Sequence, residues 1–142
     1  VATTLRRFLD NIMGLPQRRG LEGKRLEGSG FETRRACHPL THYVIVRADL
    51  PIGCAVAQTI HAAGESTPEK GVPTGTFAVA LAARSEEHLK FLEEKLQRFA
   101  IPHVAVREPD PPYNGALMAL GICPVADRKL VKKVTSSLPL LK

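Results

Sequence analysis

Gln58 and His61 stand three residues apart in the run A-Q-T-I-H-A-A (Ala57 to Ala63), a spacing that puts both on one face of an α-helix. A histidine so placed can act as general base on water, or orient a leaving group, near neutral pH. It can equally be tucked against a sheet and satisfied by a backbone carbonyl. Gln58 can donate or accept toward the same spot, or lie on an exposed face. Just upstream, Arg47 and Asp49 close the β-branched run Val44-Ile45-Val46. Arg47 can hold a phosphate or carboxylate, or make a surface salt bridge. Asp49 can orient His61 or cap the helix that follows. A second cluster, R-E-P-D-P-P-Y-N-G from Arg107 to Gly115, offers Glu108 or Asp110 as a carboxylate partner. It also offers Tyr113 as a stacking ring and Asn114 as an amide; the plainer reading is a proline-stiffened connection with solvated charges.

Other chemistries find no support. No GxGxxG or GxxxxGK[ST] phosphate loop and no GxSxG nucleophile elbow occur. Cys54 near a helix start invites a thiol nucleophile, but His61 lies seven residues on, about 10 Å along a helix axis, too far to pair with it. Cys37, His38 and His42 are close in sequence, yet a fourth zinc ligand has no source and no CxxC or CxxH pair exists, so no metal site is expected.

The elements that must position these groups follow from periodicity. Val44–Arg47 reads as a strand, apolar throughout and so covered on both faces. Cys54–Ala63 reads as a helix of small residues suited to close packing, and the Gly/Pro-rich stretch 64–75 as a loop. Thr76–Leu81 is a second strand. Ser85 is an N-cap, with Glu86 and Glu87 favourable in the first turn. Leu89, Leu92, Leu96 and Phe99 mark the buried stripe of a helix ending before Pro102. His103–Val106 and Leu117–Ile122 are strands, and Asp127–Val134 is a last helix bearing Lys129, Lys132 and Lys133. Those lysines are a solvated face unless the ligand is nucleic acid, when they become phosphate contacts. The order β-α-β-α-β-β-α predicts an α/β layer fold around a small, mostly parallel or mixed sheet. The loop after the third strand falls beside the end of the first if those strands are parallel neighbours.

The net charge of +6 is unevenly spread. Residues 1–40 hold eight Lys/Arg against four Asp/Glu, and residues 41–142 twelve against ten. Residues 1–40 read as a basic, flexible extension with one short helix from Leu5 to Met13, and residues 41–142 as the folded domain. No apolar run approaches the ~18 residues of a membrane span. Three widely spaced cysteines read as free thiols, which suits a cytoplasmic protein.

R-x-D-L (Arg47, Asp49, Leu50), a turn, then A-Q-x-x-H-A (Ala57, Gln58, His61, Ala62) resembles the signature of the type 2 peptidyl-tRNA hydrolases. S-E-E-H-L-K-F-L resembles that family's P-D-E-x-x-L helix start, I-P-H-V-A-V its third strand and L-G-I-C-P its final strand. The resemblance spans residues 41–142. It implies a three-layer α/β/α fold with a mixed four-stranded sheet flanked by helices, often as a homodimer. It implies hydrolysis of the ester joining peptide to tRNA, with no metal or other cofactor. His61, Asp49 and Asp110 would then be catalytic, and Arg47, Gln58, Asn114, Lys132 and Lys133 would hold substrate. The chain departs from the pattern at Cys54, where the family has lysine, and at E-P-D-P-P-Y-N-G, where it has D-x-G-x-T. The last strand has Ala116 and Met118 in place of threonines. Those departures sustain an alternative: a member without catalysis that binds tRNA, a small ligand or a protein partner.

Overall fold

A computed structural model describes residues 39–142. The expected helix at 5–13 and the Cys37-His38 pair lie outside the described residues. The elements, in order, are β1 (Thr41–Arg47), α1 (Ile52–Glu65), β2 (Phe77–Ala83), α2 (Glu86–Arg98), β3 (His103–Glu108), β4 (Ala116–Val125) and α3 (Lys129–Thr135). They form a mixed four-stranded sheet in the order β2-β1-β4-β3, with β1 and β2 parallel and β4 antiparallel to both β1 and β3. The expected α/β fold with a mixed four-stranded sheet is therefore what forms. β1 and β3 run the same way but are not neighbours, because β4 lies between them.

Each strand's alternation divides the core between the two faces. Tyr43, Ile45, Leu81, Leu120 and Ile122 join Leu89, Leu92 and Leu96 of α2 and Val131 and Val134 of α3. Val44, Val46 and Val106 face the other way, against Leu50 and against Ala55 and Ala62 of α1. Helices thus cover both sides of the sheet, the layered solution for apolar strands.

Small residues let α1 lie close. The glycine that permits it is Gly121 on β4: a Cβ there would overlap the carbonyl oxygen of Ala62 and come within 2.5 Å of Ser66 Oγ. At this point Ser66 Oγ donates to Ala62 O (2.6 Å), which leaves His42 Nε2 as the donor in the buried 2.7 Å contact to Ser66 Oγ. Burial pushes the His42 imidazole below its ordinary 6.5.

α2 begins as its sequence requires. Ser85 Oγ accepts from His88 N (3.3 Å), acids occupy the first turn, and Lys95 and Arg98 occupy the last. Ala100, at φ 51, turns the chain out of the helix before Pro102. The last helix starts two residues later than its pattern implies, because the Asp127 carboxylate accepts from Lys129 N (2.9 Å) and sits ahead of the first turn. Beyond it the chain adds to the free edge of β2 through Ala82 N–Pro139 O and Leu141 N–Ala80 O. Among the described residues no helix is long and apolar enough to cross a membrane.

Candidate functional site

The parallel strands β1 and β3 both end at one edge of the sheet, and the loop 109–115 returns the chain from there into β4. Asp110 O accepts from Tyr113 N and Asn114 N, and Gly115 N closes the loop on Glu108 O at 2.6 Å. Asn114 and Gly115 make the return with φ of 47 and 88, left-handed conformations that asparagine and glycine tolerate. Asn114 Nδ2 donates to Pro112 O, so its amide is engaged within the loop.

Arg47 stands at the tip of β1. Its Nε and Nη2 donate to the two oxygens of Asp49 at 3.0 and 2.8 Å, and Nη1 lies 3.7 Å from Glu86 of α2. The Arg47 hydrogen bonds hold the Asp49 carboxyl below the usual carboxylate range, and Asp49 in turn holds the guanidinium above its ordinary value. Glu86 also receives Leu117 N (3.2 Å) and Lys90 Nζ (2.7 Å), tying the start of α2 to β4.

On the opposite face of the sheet, α1 turns Ala55, Gln58 and Ala62 inward. Gln58 is 4 % exposed, and its Nε2 donates to Glu108 Oε2 at 2.9 Å. Glu108 reaches it because β3 runs two residues past Val106. In a strand, residues 104, 106 and 108 share a face, so Glu108 points at α1 while Arg107 points at α2 and pairs with Glu93 (3.2 Å). A bulge in β4 is fitted here: Arg107 opposes Leu117 and Val106 opposes Ala119, leaving Met118 as the extra residue. Gln58 Oε1 is buried without a hydrogen-bond partner among the described residues, a state that costs about 1–3 kcal/mol. Tyr113 and Cys54 close the edge beside α1. The Cys54 sulfur, foremost, raises the Tyr113 phenol above its ordinary value, with Asp49 adding to it and Arg47 opposing.

The expected residues are therefore distributed unequally. Arg47, Asp49 and Gln58 gather at this edge, with Glu108 and Tyr113 from the second cluster. Gln58 and His61 do not share an environment: about 60° further round the helix, His61 is exposed and takes no hydrogen bond among the described residues. Asp110 is exposed at the start of the loop turn. Lys132 and Lys133 belong to α3, which packs on the face opposite α1, where Lys133 Nζ lies over the Phe99 ring at 5.4 Å. Of the two carboxylates that the second cluster offered, Glu108 and not Asp110 is the one that reaches Gln58. The signal for it was the V-x-V-x-E alternation of β3, hidden by ending the strand at Val106.

At this end of the sheet Gln58 fixes the Glu108 carboxylate on one face, and Arg47 is committed to Asp49 and Glu86 on the other. Among the described residues no cluster of three or more metal-ligating side chains occurs. Comparison with models of known protein families finds no match, and comparison with curated proteins finds none either.

Proposed function

We propose that the chain is a divergent type 2 peptidyl-tRNA hydrolase, cleaving the ester bond of peptidyl-tRNA to release peptide and free tRNA. The observation that carries the reading is the 2.9 Å bond from Gln58, in the A-Q-x-x-H-A motif, to Glu108. It joins the first cluster of polar residues to the second at the end of the parallel strands, where open α/β sheets build their sites. Arg47 and Asp49 border the same edge. On this reading His61, open to solvent one turn beyond Gln58, contacts the tRNA. Lys132 and Lys133 are available to phosphates only of a ligand large enough to pass round the sheet. Ile52, Val56 and Ile60 repeat every four residues along the exposed side of α1 and give a homodimer an apolar face. A cytoplasmic setting, where the substrate is made, belongs to the same reading.

The test is release of peptide from an N-acetylated aminoacyl-tRNA. Hydrolysis by the unmodified chain, with KM raised several-fold in His61→Ala, is the expected result. No hydrolysis overturns the reading. The alternative, a binding protein without turnover, draws on one observation: both oxygens of Asp49 are taken by Arg47, so that acid is a poor proton acceptor. Salt-dependent tRNA binding without hydrolysis decides for it.

A further inference from the structure

We infer that Glu108 is the catalytic base of this edge and that Gln58 is the residue that positions it, an inference that rests on the ester-hydrolase reading above. Five carboxylate or imidazole side chains near the edge can accept a proton from water. Glu86 is bound through Oε1 by Lys90 Nζ and Leu117 N and faces Arg47 with Oε2, and these partners, Lys90 foremost, hold its carboxyl below the usual range. Asp49 has both oxygens bound by Arg47. Asp110 and His61 are exposed, and neither side chain has a hydrogen bond among the described residues to fix its direction. Glu108 alone is held by a neutral donor and open on its other oxygen. It is half-buried at the end of a paired strand, Gln58 Nε2 fixes one oxygen, and the other carries no hydrogen bond among the described residues.

Gln58 itself points to the same assignment. It occupies a buried position between Ala55 and Ala62 on the inward stripe of α1, and among the described residues only its donor end is satisfied. A methionine would fill similar space without stranding an acceptor, so packing gives no reason for an amide here. What the amide supplies is one hydrogen bond that sets the direction of the Glu108 carboxylate. Preorganised geometry of this kind is what a proton acceptor in a hydrolytic step requires.

The step is then as follows. The open oxygen of Glu108 takes a proton from water as the water oxygen bonds to the ester carbonyl carbon. The bond from that carbon to the ribose oxygen breaks, and the proton passes from Glu108 to the departing ribose oxygen. Peptide acid and free tRNA hydroxyl result, and Glu108 is restored as a carboxylate.

The experiment compares the unmodified chain, Glu108→Gln and Gln58→Met on N-acetylated aminoacyl-tRNA, with thermal unfolding of each. Loss of a general base predicts kcat lower by about 100-fold or more in Glu108→Gln, with KM within about threefold. Gln58→Met is expected to lower kcat about tenfold with KM unchanged, while melting at or above the unmodified temperature. If the unmodified chain hydrolyses the substrate and Glu108→Gln keeps a third of its kcat, Glu108 is not the base and the hydrolase reading stands. If Gln58→Met melts markedly lower, Gln58 is structural and its positioning role fails. If the unmodified chain is inactive, the hydrolase reading falls and takes this assignment with it.

Discussion

Replacing Gly121 by alanine is expected to displace α1, and the size of the effect follows from the contact. The new Cβ would overlap the carbonyl oxygen of Ala62 and stand 2.5 and 2.8 Å from Ser66 Oγ and Cβ. An ordinary carbon–oxygen contact is about 3.3 Å, so α1 must retreat by roughly 1 Å. Overpacking of this kind costs about 1–3 kcal/mol. The retreat also strains the buried 2.7 Å bond between His42 and Ser66, worth about 0.5–1.5 kcal/mol more. A loss of about 2–4 kcal/mol in a domain of this size lowers the melting temperature by roughly 10–30 °C. Gly64, on α1 itself, is the control: a Cβ there meets nothing within 4 Å. Gly64→Ala is expected to stabilise by about 0.5–1 kcal/mol through helix propensity alone. Thermal unfolding followed by circular dichroism measures both. A Gly121→Ala protein melting within about 3 °C of the unmodified chain would refute the close approach of α1 to β4. Because α1 carries Gln58, the same substitution is expected to loosen the bond to Glu108 and, on the hydrolase reading, to lower turnover.

Two further outcomes are expected. Burial holds His42 below 6.5, so the unfolded chain binds more protons than the folded one as pH falls beneath that value; stability is full above it and declines toward the folded value, by at most about 1.4 kcal/mol per pH unit, and His42→Leu flattens the dependence of melting temperature on pH in that window. Ser85→Ala removes the oxygen that accepts from His88 N, and urea unfolding is expected to show a loss of about 1 kcal/mol with an unchanged m-value.

The order of the elements was legible because it depends on local patterns. Ser85 with two acids after it, and leucines at 89, 92 and 96, specify α2 with no outside help. Strand order was less accessible. It is set by pairing between segments far apart in sequence, and β4 enters between β1 and β3. One local sign of that centrality was present: L-M-A-L-G-I is apolar throughout, as a strand covered on both faces must be. Strand ends were the costly misreading. Arg107 and Glu108 look like loop charges ahead of Pro109, yet they alternate across the sheet, one to Glu93 and the other to Gln58. The inward direction of Gln58 was readable from its spacing with Ala55 and Ala62. A glutamine on a buried stripe departs from the usual rule for helices, and such departures collect where a protein has work to do.

The charges at the two ends of the sheet bear on what kind of ligand suits the molecule. Cys54 stands where the resemblance calls for lysine, beside Tyr113, and adds no cation. The arginine at the edge, Arg47, is already shared between Asp49 and Glu86. Glu108 is held by a neutral amide, so a phosphate brought to this edge would meet carboxylates and no uncommitted cation among the residues gathered there. The accessible positive charge lies elsewhere: Arg128, Lys129 and Lys132 line a cleft of about 510 Å³ with Asp127. Arg128 also borders Thr41, which begins β1, whereas Arg47 ends it. Seven residues of strand separate those ends by about 20 Å. A small ester could use one end or the other. On the proposed reading, a ligand that draws on both has its phosphates held far from the bond to be cleaved, as an acylated tRNA end would with its backbone running back along the protein. On the proposed reading, cysteine at position 54 therefore argues less against a tRNA substrate than against a phosphate held at the carboxylate. On that reading the charge that would anchor phosphates, at Arg128, Lys129 and Lys132, lies at the far end of the sheet from the carboxylate that Gln58 holds.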